Sequence, residues 1–131
     1  MSAVVECADV AVRAMEAVGA GRRDEWLGLF AADAVLEDPV GQVPARRGPA
    51  EIAEFWDTGI AGLEDVRFDV TRVHGAGPEA IVLADVSIRA PGGASATYDV
   101  AVHYVLDDAG SIASLRAFWD LASVASQLAA G

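Results

Sequence analysis

The spacing of hydrophobic residues changes once along this chain of 131 residues, and that change determines the class of fold. Before Val66, hydrophobic residues recur about every three to four positions, as they do on one face of a helix. From Val66 onward they alternate with polar residues, as in strands that have one buried face. The chain is therefore predicted to be α+β, with helices packed on one side of a curved antiparallel sheet.

The part of the chain before residue 66 predicts three helices and one short strand. Hydrophobic residues at helical spacing cover residues 4–18, and the glycines that follow end the first helix. Asp24 is a suitable N-cap for a second helix that runs to about residue 30. Residues 34–37 form a short extended segment, and Pro49 fits the first turn of a third helix.

The part after residue 66 predicts a four-stranded antiparallel meander. Turn-forming stretches rich in Gly, Pro and Asp separate the strands. No repeat or linker interrupts this order, so residues 1–131 are expected to form a single domain. The first of these strands is predicted to start at residue 66, and the next three are predicted to cover residues 80–89, 94–106 and 112–119.

The composition limits which classes of partner and which cellular location are expected. Hydrophobic residues make up 53% of the chain, which is typical of a folded protein rather than a disordered one. The net charge of -11 repels phosphate backbones and anionic lipids, so neither nucleic acid nor a membrane is expected as a partner. No apolar run reaches the roughly 20 residues of a membrane helix, and no basic leader precedes an apolar segment. We therefore expect a soluble, cytoplasmic protein.

The sequence offers little support for a metal or a cofactor. A zinc site needs three or four convergent ligands, whereas Cys7, His74 and His103 lie far apart without ligand-like spacing. The stretch Gly75–Gly77 resembles a phosphate-binding loop only superficially, because Pro78 and a strand follow it instead of a helix. We therefore expect no metal and no cofactor.

Asp38 differs from the other carboxylates in its surroundings. It follows the hydrophobic run 34–36 and precedes Pro39, which keeps the backbone of Asp38 away from helical geometry. A carboxylate in such a setting is partly desolvated, and desolvation raises its pKa towards the range in which a general base or acid works best. An Asp-Pro pair is also a common turn former, so a purely structural role is the alternative.

Residues 29–41, which include the run Glu-Asp-Pro-Val-Gly, resemble the signature of the ketosteroid isomerases. These small enzymes belong to the wider nuclear-transport-factor-2-like (NTF2-like), or SnoaL-like, superfamily. The similarity continues through Arg47-Gly48, Phe55-Trp56 and residues 117–119, and it covers nearly the whole chain in the order of its elements. The resemblance implies a cone-shaped curved sheet with three helices on its concave side, and homodimers formed through the outer face of the sheet.

The resemblance also implies a role for individual residues. Asp38 matches the family's base, which removes a proton next to a ketone and returns it elsewhere on the ring. Trp119 matches an aromatic residue that packs against this base or the pocket wall. The family's oxyanion hole uses a Tyr and a protonated Asp, but the matching positions here are Ala14 and Val102, which cannot donate a hydrogen bond. Tyr98 and Tyr104 share the inward face of the third meander strand with Val102, so the hydroxyl of either residue is an alternative donor.

We therefore expect a ketosteroid isomerase-like protein that binds a flat, hydrophobic steroid- or polyketide-like ketone and transfers protons weakly or with altered scope. Two alternatives stay open, namely a SnoaL-like cyclase or epoxide-opening enzyme, and a non-catalytic binder of apolar ligands. The residues expected to contact the ligand share an inward-facing position in the predicted helices and strands. They are Ala14, Phe30, Phe55, Trp56, Tyr98, Val100, Val102 and Trp119.

Overall fold

The computed structural model describes residues 6–130 and contains a six-stranded mixed sheet, which is not closed, together with four α-helices. The α+β class is therefore confirmed. A single 3-10 turn, Ile60–Gly62, follows the third helix. The α-helices are α1 (Cys7–Gly19), α2 (Arg23–Leu27), α3 (Gly48–Thr58) and α4 (Leu121–Ala130).

The strands lie in the sheet in the order β2-β1-β6-β5-β4-β3. The predicted meander of β3 to β6 is confirmed, because each of these strands pairs antiparallel with the next. The prediction of a purely antiparallel sheet is wrong, because β1 pairs parallel with β6. The strands are β1 (Phe30–Glu37), β2 (Arg46–Arg47), β3 (Asp65–Ala76), β4 (Glu79–Arg89), β5 (Ser95–Leu106) and β6 (Ile112–Phe118).

The first predicted strand is longer than expected, and the second helix is shorter. Phe30 was predicted to be helical, but it begins β1 and lies opposite Ile112 of β6. The carbonyl of Leu29 also accepts a hydrogen bond from the Ile112 N–H at 2.8 Å. A partner more than eighty residues away thus extends this segment, and local spacing carries no signal for such a partner.

The structure has one α-helix more than the sequence predicts. Helix α4 has only a narrow hydrophobic stripe, formed by Leu121, Val124 and Leu128, and of these only Val124 is fully buried. The side chain of Gln127 attaches it to the sheet by accepting a bond from the Thr97 N–H (2.9 Å) and donating one to the Thr97 carbonyl (3.0 Å). Strand β6 ends before it reaches this part of β5, so the amide of Gln127 takes the place of a neighbouring strand.

The core lies between α1 and the inner face of the sheet. Strand β4 alternates strictly between exposed and buried residues, as its sequence predicts. Helix α1 packs across β3, β4 and β5, and its inner face is built from small residues such as Ala11, Ala14 and Ala17. Residues 4 and 5 of the predicted first helix lie outside the described part of the chain. Within residues 6–130, no helix is both long and apolar enough to cross a bilayer.

Candidate functional site

A cavity of about 290 Å³ lies between α1, α3 and the inner face of the sheet. Its walls are mostly hydrophobic, and among the described residues Asp38 is the one carboxylate that lines it. This combination of apolar walls with few polar groups is typical of a site for a small hydrophobic molecule. The predicted ligand-contacting residues that do line the cavity are Ala14, Phe55, Tyr98, Val100, Val102 and Trp119.

Two predicted contact residues, Phe30 and Trp56, do not line the cavity. Both pack against Trp26 instead, with ring centroids at 4.7 Å for Phe30 and 5.3 Å for Trp56. Trp26 is 3% exposed and forms the wall that the other two were expected to form. All three are aromatic residues at positions compatible with helices, so the sequence did not distinguish the lining residue from the two behind it. In this structure Trp56 thus belongs to the buried core, and the half-buried Phe30 packs against that core.

Sequence reasoning missed much of the lining that comes from neighbouring strands. Four of these residues occupy inward positions of β3 and β4, and the period of two in the sequence already marked them as inward-facing. The remaining ones belong to α1, to the 3-10 turn and loops, to β6 and to the start of α4, and local patterns carry no signal that they meet at one cavity. The lining residues absent from the prediction include Met15, Val18, Val43, Ile60, Leu63, Val66, Phe68, Val86, Ile88, Leu115 and Leu121.

Asp38 is held at the point where β1 ends beside β6. Parallel pairing places Glu37 opposite Arg116, so Asp38 comes level with Ala117 and with Trp119 just beyond it. The indole Nε1–H of Trp119 donates a hydrogen bond to Oδ1 of Asp38 at 2.5 Å. The peptide bond to Pro39 is cis. The carboxylate of Asp38 is thereby fixed at the cavity wall through one of its two oxygens.

The environment of Asp38 changes its acidity. Burial raises the pKa of Asp38 from 3.8 to about 6, while the hydrogen bond from Trp119 lowers it and partly opposes this rise. At neutral pH the carboxyl group is therefore mostly ionised, yet it takes up a proton far more readily than an exposed aspartate. This is the property that the sequence predicted for Asp38, and it suits a general base.

Two tyrosines on β5 add phenol groups to the cavity. Burial and the negative charge of Asp38 raise the pKa of Tyr98 to about 12, and the same causes raise the pKa of Tyr104 further. Both phenols are therefore protonated over the working pH range and available as hydrogen-bond donors. The ring of Tyr98 lies against Trp119, with centroids 5.1 Å apart.

The loop after Asp38 connects the site to the last helix. The side chain of Gln42 donates a hydrogen bond to the carbonyl of Trp119 (2.7 Å) and accepts one from the N–H of Leu121 (2.8 Å). The N–H of Val40 donates to the carbonyl of Ala117 at 2.9 Å. These bonds fix the backbone of Trp119, and with it the indole that contacts Asp38.

The two positions that match the family's oxyanion-hole donors both line the cavity. Ala14 is 1% exposed and Val102 is 4% exposed, and both line the cavity without a polar side-chain atom. In the described part of the chain, no group of three or more His, Cys, Asp and Glu side chains is arranged to hold a metal ion. Among the described lining residues there is also no arginine.

The chain belongs to the SnoaL-like domain family, whose profile matches residues 11–115. Membership of the SnoaL-like superfamily, with ketosteroid isomerase-like structural relatives, is thus confirmed. The Δ5-3-ketosteroid isomerase from Mycobacterium sp. is 29% identical, with a TM-score of 0.80 over 88% of this chain and 93% of the isomerase.

Two further solved structures share the fold. RV0760c from Mycobacterium tuberculosis, in complex with estradiol-17β-hemisuccinate, is 24% identical, with a TM-score of 0.81 over 88% of this chain and 94% of that protein. SalBIII, an epoxide hydrolase/cyclase-like enzyme with a role in pyran ring formation in the polyether salinomycin, is 21% identical. Its TM-score is 0.77 over 88% of this chain and 91% of SalBIII.

Proposed function

We propose that the protein binds a flat, hydrophobic steroid- or polyketide-like ketone in the cavity and that Asp38 transfers a proton next to the carbonyl group of this ligand. The observation that carries the proposal is a single carboxylate with a raised pKa at the wall of a hydrophobic cavity. The known structures of a ketosteroid isomerase and of a steroid-bound relative with the same fold give further support.

The geometry of Asp38 supports a role as base. Its Oδ1 accepts the hydrogen bond from Trp119, while its Oδ2 forms no hydrogen bond with any described residue. Oδ2 is therefore the atom that removes a proton from the carbon next to the ketone, which leaves an enolate. The protonated Asp38 then returns this proton to another carbon, so that a double bond moves and no other reactant is consumed.

The lack of donors at Ala14 and Val102 predicts slow turnover. The negative charge that develops on the ketone oxygen needs hydrogen-bond donors, and the loss of one such donor typically lowers the rate by about 10²–10³-fold. A non-catalytic carrier of hydrophobic ligands is therefore the second candidate function. A cyclase or epoxide-opening reaction, in which the protonated form of Asp38 acts as the acid, is the third candidate. The fold shared with SalBIII supports this candidate.

Ligand titration followed by turnover tests these functions in order. Trp26 and Trp119 line the cavity, so a steroid enone that binds there should change the protein's fluorescence in a saturable way. A β,γ-unsaturated ketosteroid should then be converted to its conjugated isomer, and Asp38→Asn should lower the rate by at least about tenfold. Asp33→Asn is the matched control, because Asp33 is an exposed residue of β1.

Each outcome selects one function. Binding with Asp38-dependent isomerisation supports the proposal, and binding without turnover supports the carrier. Turnover of an epoxide substrate without isomerisation supports the third candidate. The absence of any saturable fluorescence change across a sterol and polyketide panel contradicts all three.

We also propose that two copies associate through the outer face of the sheet. On one side of this face, Asp69, Asp85 and Asp99 are direct cross-strand neighbours, so three like charges repel one another. Beside them runs a hydrophobic row in which Leu83 is 37% exposed and Phe118 is 44% exposed. The row is formed by Leu83, Ala101 and Phe118.

The far side of the hydrophobic row makes the face self-complementary. It carries His74 and His103, which flank Ile81 on the neighbouring strands. A two-fold axis along the hydrophobic row places Asp69 opposite His74 of a second copy, and Asp99 opposite His103 of that copy. Such packing buries the exposed hydrophobic side chains and places two of the repelling aspartates beside imidazole rings, of which that of His103 also contacts Glu79 of its own chain at 2.7 Å.

A further inference from the structure

The phenol of Tyr104 occupies a distinctive place in the cavity. Tyr104 lies on the inner face of β5 between Ala80 of β4 and Leu115 of β6, and it is only 3% exposed. The thiol of Cys7 in α1 contacts its backbone carbonyl at 3.5 Å. Strands on both sides and a helix above therefore enclose this residue, and its ring lines the cavity from the inner face of β5.

The hydroxyl of Tyr104 has no protein partner in the described part of the chain. Every side-chain nitrogen or oxygen there that is fully shielded has a hydrogen-bond partner. The Tyr104 hydroxyl bonds to none of the described residues, so its oxygen has to open into the cavity that the ring lines. The acceptor of its hydrogen bond is therefore whatever occupies the cavity, either water or a ligand oxygen that displaces the water.

Tyr98 lies on the same strand face but in a different environment. It is half-buried, and its ring packs on Trp119. Its hydroxyl can therefore exchange a ligand for water at little cost. The two phenols lie six residues apart on β5, which is roughly 20 Å along an extended strand. They thus reach different parts of the cavity, and Tyr104, at 3% exposure, is the more deeply enclosed of the two.

Tyr104 and Asp38 are close enough for a single bound ligand to contact both residues. The pairing of Ala117 with Val102 brings Asp38 level with Val102, and Tyr104 lies two residues further along β5, roughly 7 Å. The charge on Asp38 also raises the pKa of Tyr104, as expected of two groups that face one cavity. A ligand whose oxygen bonds to Tyr104 therefore presents its adjacent carbons near Asp38.

We propose that Tyr104 is the hydrogen-bond donor to the oxygen of the bound ligand, in place of the donors that Ala14 and Val102 lack. This inference rests on the proposed function and specifies its ligand. The ligand is a hydrophobic ketone whose carbonyl oxygen lies at Tyr104 and whose ring system lies along the apolar walls. In turnover, the same phenol stabilises the enolate oxygen while Asp38 holds the proton.

The experiment compares two probes that differ in one oxygen atom, 5α-androstan-3-one and the hydrocarbon 5α-androstane. Tyr104→Phe removes only the hydroxyl and should weaken binding of the ketone about tenfold, the effect of one hydrogen bond of about 1.4 kcal/mol. The affinity for the hydrocarbon should stay within about twofold. Tyr98→Phe is the matched comparison, because it removes the other phenol of the cavity and should weaken binding of the ketone much less than Tyr104→Phe does.

The infrared spectrum of the bound ketone gives a second readout, and its first measurement needs only the wild-type protein. A hydrogen bond lowers the carbonyl stretching frequency, so the frequency should lie below its value in hydrocarbon solvent, and Tyr104→Phe should abolish the shift. An unshifted wild-type frequency, an equal loss of affinity for both probes, or a loss confined to Tyr98→Phe overturns the inference. If the wild-type protein binds neither probe, the proposed function fails and this inference fails with it.

Discussion

Trp119 and Asp38 are 81 positions apart in the sequence, yet the indole Nε1–H of Trp119 donates to Oδ1 of Asp38 at 2.5 Å. Parallel pairing of β1 with β6 produces this contact, because both residues come directly after their strands. The bond orients the carboxylate, and it lowers the pKa of Asp38 against the effect of burial. The same indole thus sets both the direction and the acidity of the proposed base.

Replacement of Trp119 should therefore change the pH dependence of turnover. In Trp119→Phe the donor is gone, so we expect the pKa of Asp38 to rise and the increase of kcat/KM with pH to move to higher pH. Stability should also fall by about 1.5–3 kcal/mol, the range for a hydrogen bond to a charged group. Trp26→Phe is the control, because Trp26 also lines the cavity but forms no described hydrogen bond with Asp38. An unchanged pH profile in Trp119→Phe contradicts the prediction.

The raised pKa of Asp38 also predicts how stability depends on pH. The folded protein binds the Asp38 proton more tightly than the unfolded chain does, so this group lowers the free energy of unfolding as pH rises from 3.8 to about 6. Above that range the cost is constant. Asp38→Asn removes it, and we expect the variant to be more stable than the wild type at pH 8 by on the order of 2–3 kcal/mol.

Denaturant titrations at several pH values check this expectation. The gain from Asp38→Asn should shrink towards zero near pH 4, whereas Asp33→Asn should give no such pattern because Asp33 is exposed. A destabilised Asp38→Asn variant at pH 8 would mean that the carboxylate stabilises the fold, contrary to the direction of its pKa shift.

The sequence predicts the strands well because alternation is a local property. Val66 and Phe68 point inward from β3 as their spacing indicates, and both line the cavity. Tyr98 and Tyr104 share the inward face of β5 for the same reason. Asp38 was singled out by its apolar neighbours, and the resemblance to ketosteroid isomerases added Trp119 beside it.

The features that the sequence did not predict depend on distant partners. Phe30 begins β1 because it pairs with Ile112, and local patterns do not contain that pairing. Trp26 rather than Trp56 lines the cavity because of how α2 packs on α3, although both residues have the same local signal. The hydrogen bonds of Gln42 join a loop to a helix that the sequence did not predict.

Helix α4 should depend on Gln127. In Gln127→Ala the N–H and the carbonyl of Thr97 both lose their side-chain partner. Because the site is exposed, water partly replaces the two bonds, and we expect the free energy of unfolding to fall by about 1–2 kcal/mol. Hydrogen exchange at the Thr97 amide should become faster. Ser126→Ala, at an exposed neighbouring position of α4, should change neither quantity. Unchanged exchange at Thr97 in Gln127→Ala would show that α4 is held in another way.

The proposed dimer predicts the effect of a charge in the hydrophobic row. Leu83→Asp places a fourth carboxylate beside the row of aspartates and removes an exposed hydrophobic side chain, so sedimentation should show a monomer. Ser123→Asp adds the same charge on α4, away from this face, and should sediment like the wild type. A wild-type protein that is monomeric at high concentration contradicts the proposal directly.

The last prediction adds a donor at the position where the family has one. Val102 is 4% exposed and level with Asp38, so the carboxyl group of Val102→Asp should remain protonated and able to donate. We expect faster isomerisation of a ketosteroid by about 10²-fold, because each donor to the enolate oxygen contributes about that much. Burial of a polar group should lower stability by about 1–3 kcal/mol.

Val100→Asp is the control for this experiment. Val100 also lines the cavity from β5 and is 7% exposed, so Val100→Asp should lower stability by a similar amount. Because Val100 lies two residues further from Tyr104, this variant should give a smaller gain in the rate of isomerisation. If Val102→Asp folds, binds the steroid and shows no gain, the ligand oxygen does not lie near Val102. The ligand would then be oriented differently from that of an isomerase, and the carrier or the cyclase would become the better account of this cavity.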